Sequence, residues 1–324
     1  MTEMRYAHAI NRALDDAMAA DGTVLLLGED IGRAGGSFAV TRGLQEKYGA
    51  DRVIDTPISE NALGGMAVGL ALSGFRPVIE IMFMDFMALT MDALVNQAAK
   101  AHFMFGGQSA VPLVVRTQHG GGLNAGPQHS QCLEAWFAHI PGLKLVCPSS
   151  LEDAYGLLRQ AIDDPNPVIF VEHKAMYPIK GDLPDDRANV EIGVARLVRP
   201  GTDVTIVSYG GMMREAIKAV DLLAAENVSA ELIDLRSIQP WDEPAVLSSL
   251  ARTHHLVVAH EAVEAFGVGA EIVARMADIG FDELDGPIIR VGAPFMPVPF
   301  SRELEAAYIP GAVQIVQAAR RALK

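Results

Sequence analysis

The sequence predicts an α/β protein made of two parallel-sheet domains, and three observations predict it. Short apolar runs of four to six residues, rich in β-branched side chains, recur along the whole chain and are apolar on both faces, as strands covered by helices on each side must be. Between them stand longer stretches of helical period, so strands and helices alternate. With 324 residues, 50% of them hydrophobic, the chain also exceeds the roughly 250 to 300 residues that a single core usually holds.

The first series begins with a helix over Tyr6–Ala20, followed by strands at Val24–Gly28, Arg52–Asp55, Pro77–Met82, Pro112–Arg116, Leu143–Cys147 and Val168–Val171. Its other helices are read at Glu60–Ser73, Asp85–Phe103 and Ser150–Asp163, the last with Ser150 as N-cap and Glu152 and Asp153 in its first turn. The second series has strands at Val204–Ser208, Ala230–Asp234, Leu256–Ala259 and Ile288–Val291, with helices at Met212–Ala225, Glu243–Ala251, Gly267–Ile279 and Pro310–Ala322. Between the two series the stretch around Gly181-Asp-Leu-Pro-Asp-Asp186 has no periodicity and carries turn-forming residues, which reads as a linker. The domains are therefore 1–180 and 199–324, joined by 181–198.

A net charge of −14 and a pI near 5.0 exclude a nucleic-acid surface or an anionic membrane as partner, since both require clustered Lys and Arg. Cys132 and Cys147 have no CxxC or His-rich spacing, so neither a disulfide framework nor a zinc site is expected and a reducing cytoplasm fits. Charged residues among the first 20 break any signal-peptide core. The longest uncharged stretch, Asn61–Phe75, is shorter than the roughly 20 apolar residues that span a bilayer. No GxxxxGK[ST] is present, and no GxGxxG stands between a strand and a helix, so the chain has no phosphate cradle of a familiar kind.

Asp55-Thr-Pro-Ile-Ser-Glu60, running into the apolar, glycine-spotted Asn61–Leu72, is the segment that most invites a functional reading. It reads as a strand end, a turn and a helix start with Ser59 as N-cap and Glu60 in the first turn. An acid there is worth about 0.3 to 1 kcal/mol from the helix macrodipole, which is one sufficient reason for it. A carboxylate held among the apolar Ile58, Ala62, Gly64 and Gly65, where desolvation favours its protonated form, is the other. Likewise Phe86 fits ordinary packing as well as a binding face, and His129, in the polar loop Thr117–Gln131, fits a surface histidine as well as an acid–base group.

Taken in order, Leu27-Gly-Glu-Asp-Ile-Gly32, Gly43–Gly49, Arg52–Glu60, Asn96-Gln-Ala-Ala-Lys100, Met104-Phe-Gly-Gly107, Val111–Arg116, Gln128-His-Ser-Gln131, Pro141-Gly-Leu-Lys144, Asp234–Pro240 and Val298-Pro-Phe300 resemble the β subunit of the two-subunit E1 component of 2-oxo acid dehydrogenase complexes. The resemblance spans essentially the whole chain. It implies a thiamine diphosphate pyrimidine-binding domain followed by a transketolase C-terminal-like domain. It further implies an oxidoreductase in which Glu60 hydrogen-bonds the aminopyrimidine nitrogen N1′, Ile58 and Phe86 contact the pyrimidine, and His129 serves acyl transfer to lipoyl.

In that family the diphosphate and its Mg²⁺ are held by a Gly-Asp-Gly motif on a separate α subunit, and Gly-Asp-Gly occurs nowhere in this sequence. The resemblance therefore implies an α2β2 heterotetramer with the active site between chains, docked on a lipoyl-bearing E2 acyltransferase core. It also implies a K⁺ site at Leu113, Ala161, Ile162, Asp164 and Asn166, where Asp163-Asp-Pro-Asn166 otherwise reads as a turn that needs no metal. Pyruvate and acetoin are the substrates implied. A branched-chain 2-oxo acid, half of a split transketolase and a non-enzymatic assembly subunit are the alternatives.

Overall fold

The computed structural model describes residues 2–184 and 190–324. The chain divides into two compact units, Met1–His119 with Trp136–Ile192, and Gly120–Ala135 with Gly193–Lys324.

The first unit runs β1 (Thr2–Arg5), α1 (Tyr6–Ala20), β2 (Val24–Gly28), α2 (Leu44–Tyr48), β3 (Val53–Asp55), α3 (Glu60–Leu72) and β4 (Arg76–Ile81). After these come a 3₁₀ run at Met84–Thr90, a π-helical run at Asp92–Ala98, α4 (Ala99–Met104) and β5 (Val114–His119). Past α5 (Glu134–Ala138), the unit is completed by β6 (Lys144–Val146), α6 (Leu151–Asp163), β7 (Val168–His173) and β8 (Lys180–Leu183). Six of its strands form parallel neighbours in the order β6-β7-β5-β4-β2-β3. Every residue of β2, β5 and β7 is buried, which is why these strands lack polar alternation in the sequence.

Tyr6, Ile10, Ala13, Leu14 and Ala17 place the buried stripe of α1 at helical spacing, and it shares one core with α6. The hydroxyl of Ser150 caps α6 by accepting from the Asp153 N–H at 3.1 Å.

Three local readings of the sequence need correction. The single helix expected over Asp85–Phe103 is a 3₁₀ run, a π run and a short α-helix, a departure from regular helix of the kind that gathers at functional sites. Ser59 does stand at the N-cap of α3 as expected, and what needs correcting is its support, since its side chain makes no capping hydrogen bond. The stretch 181–198 is not a featureless linker: β8 pairs antiparallel with β1, and Arg196–Arg199 is a strand, while 185–189 lie outside the described residues. A short edge strand with alternating exposed residues gives no apolar run to read.

The second unit contains β9 (Arg196–Arg199), β10 (Val204–Ser208), α7 (Met213–Ala225), β11 (Ala230–Asp234), β12 (Ser237–Gln239) and α8 (Glu243–Thr253). It continues through β13 (Leu256–Val263), α9 (Val268–Ile279), β14 (Ile289–Ala293), α10 (Arg302–Tyr308) and α11 (Ala312–Ala322). Its sheet has the order β14-β13-β10-β11-β9, parallel except for the antiparallel edge strand β9. Its core joins α7 and α11 to β10, β11, β13 and β14 through Val204, Ile206, Leu223, Leu232, Val257 and Ile315.

Among the described residues no helix is long and apolar enough to cross a membrane.

Candidate active site

In the first unit β2 lies between β3 and β4, so the chain adds strands first on one side of β2 and then on the other. Crevices beyond the carboxyl ends of strands at such reversals are where open α/β sheets place ligands. Glu29 follows β2, Glu60 follows the turn after β3, and Phe83 and Phe86 follow β4. Residues far apart in sequence thus come to one end of one sheet.

Glu60 is the first residue of α3 and is buried, with 8% of its surface exposed. Glu29 is close enough to feel it: burial first, and then the charges of Glu60 and Asp30, push the Glu29 carboxyl up from its ordinary pKa.

The apolar surroundings expected for Glu60 are only partly supplied by this chain. Gly64 packs closely, since a Cβ there would stand 3.2 Å from the Ala93 side chain and 3.3 Å from that of Thr90. Ile58 is 83% exposed, and Ala62 and Gly65 are also exposed. They lie outward because α3 is apolar on every side, so one side serves this unit's core through Leu63, Ala67, Val68 and Ala71 while Met66 and Leu72 stay uncovered.

Phe86 is half-buried on the 3₁₀ run, with the Phe83 ring edge-on to it at 5.7 Å and 87°. Met84, two residues earlier, is fully buried.

His129 is half-buried in a loop of the second unit. That loop is fastened at several points. The Gly121 N–H donates to Glu261 Oε1 at 2.6 Å, and the Asn124 N–H and side-chain amide both donate to the buried Glu305 Oε2, at 3.0 and 2.9 Å. Gly126 has φ +76°, a backbone that favours glycine, and a Cβ there would fall 2.2 Å from the Phe300 ring, which would have to move. Gln128, Gln131 and Cys132 of the loop line a largely apolar cavity of about 530 Å³ with Glu261, Phe295 and Tyr308. Burial, Cys132 and Glu261 push the Tyr308 hydroxyl up to about 12. His119, next to this loop in sequence, is 2% exposed in the first unit and edge-on to His173 at 5.3 Å.

At the expected K⁺ position the Leu113 carbonyl accepts from the Val168 N–H at 2.9 Å and the Ile162 carbonyl from Arg76 Nη1 at 2.8 Å. The Asp164 carboxylate is bonded to Lys144 Nζ and accepts from the Asn166 N–H. A cationic side chain already satisfies the one acidic ligand.

The sequence reading missed the polar centre beneath the site. Arg116 of β5, 1% exposed, donates to Glu80 of β4 at 2.7 Å and to both oxygens of Glu172 of β7 at 2.7 and 2.8 Å, and Tyr177 donates to Glu172 at 2.6 Å. A charged residue inside each of three apolar runs was the available signal.

Residues 2–180 match the transketolase pyrimidine-binding domain family and residues 193–315 the transketolase C-terminal domain family. The chain is 47% identical to the β subunit of acetoin:2,6-dichlorophenolindophenol oxidoreductase of Cupriavidus necator, over 98% of this chain and 96% of that one. It is 43% identical to the mitochondrial pyruvate dehydrogenase E1 component subunit beta-2 of Oryza sativa subsp. japonica, over 99% of this chain and 86% of that one. The chain belongs to the E1 β-subunit family. Its place there makes it a subunit of a thiamine diphosphate-dependent oxidoreductase. The same fold occurs in a solved structure described as a split gene transketolase, inactive beta4 tetramer, with TM-score 0.81 and 22% identity over 99% of this chain and 98% of that one. As an E1 β subunit the chain offers a buried carboxyl and an aromatic face at a strand-end crevice, a set suited to an aminopyrimidine, while its sequence contains no Gly-Asp-Gly.

Proposed function

We propose that this chain supplies the pyrimidine half of an E1 active site that cleaves pyruvate or acetoin and passes the acyl group to lipoyl-lysine of an E2 core. The observation that carries the reading is the buried Glu60 at the start of α3, at the same strand ends that Phe86 follows. When bound, thiamine diphosphate supplies the nucleophilic carbon and the electron sink for cleaving a bond next to a carbonyl. Glu60 holds a proton at the ring nitrogen N1′, Phe86 stacks against the pyrimidine, and Ile58 contacts it from the turn before α3. His129 would act as acid–base group toward lipoyl, giving a proton to the sulfur released when the lipoyl disulfide opens.

The diphosphate and Mg²⁺ belong to an α subunit in an α2β2 assembly, in keeping with the lack of Gly-Asp-Gly in this chain. The uncovered side of α3, with Met66 and Leu72, is the seat for that subunit beside Glu60. A K⁺ ion at Leu113, Ala161, Ile162, Asp164 and Asn166 would compete with Lys144 for the Asp164 carboxylate. We infer a cytoplasmic complex from Cys132 and Cys147, both thiols, which suit a reducing compartment.

The test is Glu60→Gln in the assembled heterotetramer, assayed with pyruvate and acetoin and an artificial electron acceptor. An intact assembly whose activity falls by about 10² to 10⁴ is expected, the range for loss of a general acid–base group. Activity within about threefold of the parent would remove Glu60 from the chemistry.

A further inference from the structure

We infer that Phe38 and Tyr177 are positioning residues that set the angle of the Phe86 ring, and through it the seat of the aminopyrimidine; this rests on the role proposed above for Phe86. Four rings form an unbroken series. Phe86 meets Phe83 edge-on at 5.7 Å and 87°, Phe83 meets Phe38 edge-on at 6.3 Å and 84°, and Phe38 stacks on Tyr177 at 4.8 Å and 29°. Each separation falls within the range of about 4.5 to 7 Å in which aromatic pairs have a preferred geometry.

The inner end of the series is fixed. The buried Tyr177 hydroxyl donates to Glu172 at 2.6 Å, and Glu172 is gripped at both oxygens by Arg116, whose third contact is Glu80. Rotating Tyr177 breaks a charge-assisted bond inside a low-dielectric core.

Phe38 is fixed by its loop. Thr41 Oγ1 donates to the Ile31 carbonyl at 2.6 Å, and Asn11 Nδ2 donates to the Val40 carbonyl at 2.6 Å. Gly36 turns the chain at φ +81° and lies against Glu80 and Thr41, each 3.4 Å from where a Cβ would stand. The buried ion cluster therefore meets both the ring end and the loop end.

At the outer end the Phe86 N–H donates to the Phe83 carbonyl at 2.9 Å. Phe86 stands on a 3₁₀ run, whose hydrogen-bond geometry is poorer than that of an α-helix. Phe38, Phe83 and Phe86 are all half-buried, so the series leads from the interior out to the strand-end crevice instead of closing within a core. An edge-on pair transmits orientation, because rotating one ring drives its edge into the face of the next.

The experiment uses the assembled heterotetramer and titrates thiamine diphosphate with Mg²⁺ by calorimetry, with near-ultraviolet circular dichroism of the bound aminopyrimidine as a second readout. Phe38→Leu keeps volume and removes the ring, Phe38→Tyr keeps the ring, and Leu14→Ala destabilises the same unit through the fully buried core of α1. Phe86→Leu and Phe38→Leu should each raise Kd about tenfold and change the dichroism, and the double variant should be no worse than Phe86→Leu alone. Phe38→Tyr should stay within about twofold of the parent. Leu14→Ala should lower Tm and leave Kd unchanged.

If Phe86→Leu weakens binding and Phe38→Leu does not, the positioning inference is overturned and the platform role of Phe86 stands. If neither moves Kd, the platform role itself fails. A Leu14→Ala effect as large as that of Phe38→Leu would reduce Phe38 to general stability and also overturn the inference.

Discussion

Arg116→Met should be among the most damaging single substitutions in the first unit. The guanidinium is 1% exposed, and it neutralises Glu172, whose side chain is 0% exposed, and Glu80, whose side chain is 5% exposed. Methionine fills similar volume, so the loss is electrostatic: two buried carboxyls remain with no cation between them. Breaking a buried pair by removing one partner costs about 3 to 5 kcal/mol, a large share of the 5 to 15 kcal/mol that holds a typical domain. Burial already raises the Glu172 pKa above its ordinary value against the pull of Arg116. A carboxyl whose folded pKa lies above its unfolded one costs stability above the folded value, and that cost fades as pH falls through it. Without Arg116 the folded pKa rises further, so the variant's deficit should be largest near neutral pH and shrink toward acid. Urea unfolding of parent and variant across that window measures it. Adding Glu80→Gln and Glu172→Gln should recover about 2 kcal/mol, since neutral amides lose less on burial than unpaired carboxylates. A deficit below about 1 kcal/mol, unchanged by pH, would refute the account of Arg116 as the neutralising centre.

Two other substitutions probe the rest of the chain. His129→Ala should leave thiamine diphosphate affinity intact while acyl transfer to a free lipoyl domain falls about 10²-fold, with single-turnover transfer as the measurement and lost cofactor binding as the contrary result. Gly142→Ala should cost about 3 kcal/mol or more in urea unfolding, because φ is +102° and a Cβ would stand 2.0 Å from the Ala99 carbonyl oxygen; a stable variant would mean that the backbone yields there.

What the sequence disclosed follows from the range of each signal. Helix α1 and strands β2, β10 and β11 coincide with the expected residues because periodicity and unbroken apolar runs are local and strong. The run after β4 lost its regularity through tertiary packing, as α3 approaches it at Gly64, and no local pattern announces that. Glu60 was legible because an acid at the head of an apolar helix is anomalous. Glu29 and Phe38 were not, since they sit in an aperiodic loop and gain meaning only from Glu60, Phe83 and Tyr177. The Arg116 cluster joins residues 36 and 56 positions apart, beyond any window of sequence pattern. Ile58 read as a buried neighbour of Glu60 because apolar character alone does not tell a core face from one left uncovered.

The discontinuity of the two units bears on how subunits of this kind can be recombined. Residues 120–135 precede α6 and β7 in the chain yet are fastened to Glu261, Glu305 and Phe300 far downstream. A chimera of two relatives spliced once, at the apparent boundary near 192, would set one parent's loop against the other parent's anchors. Grafting the His129 loop from a relative of different specificity therefore calls for a two-segment cassette, 120–135 together with 193–324, and libraries built on a single crossover would sample mostly mismatched pairs.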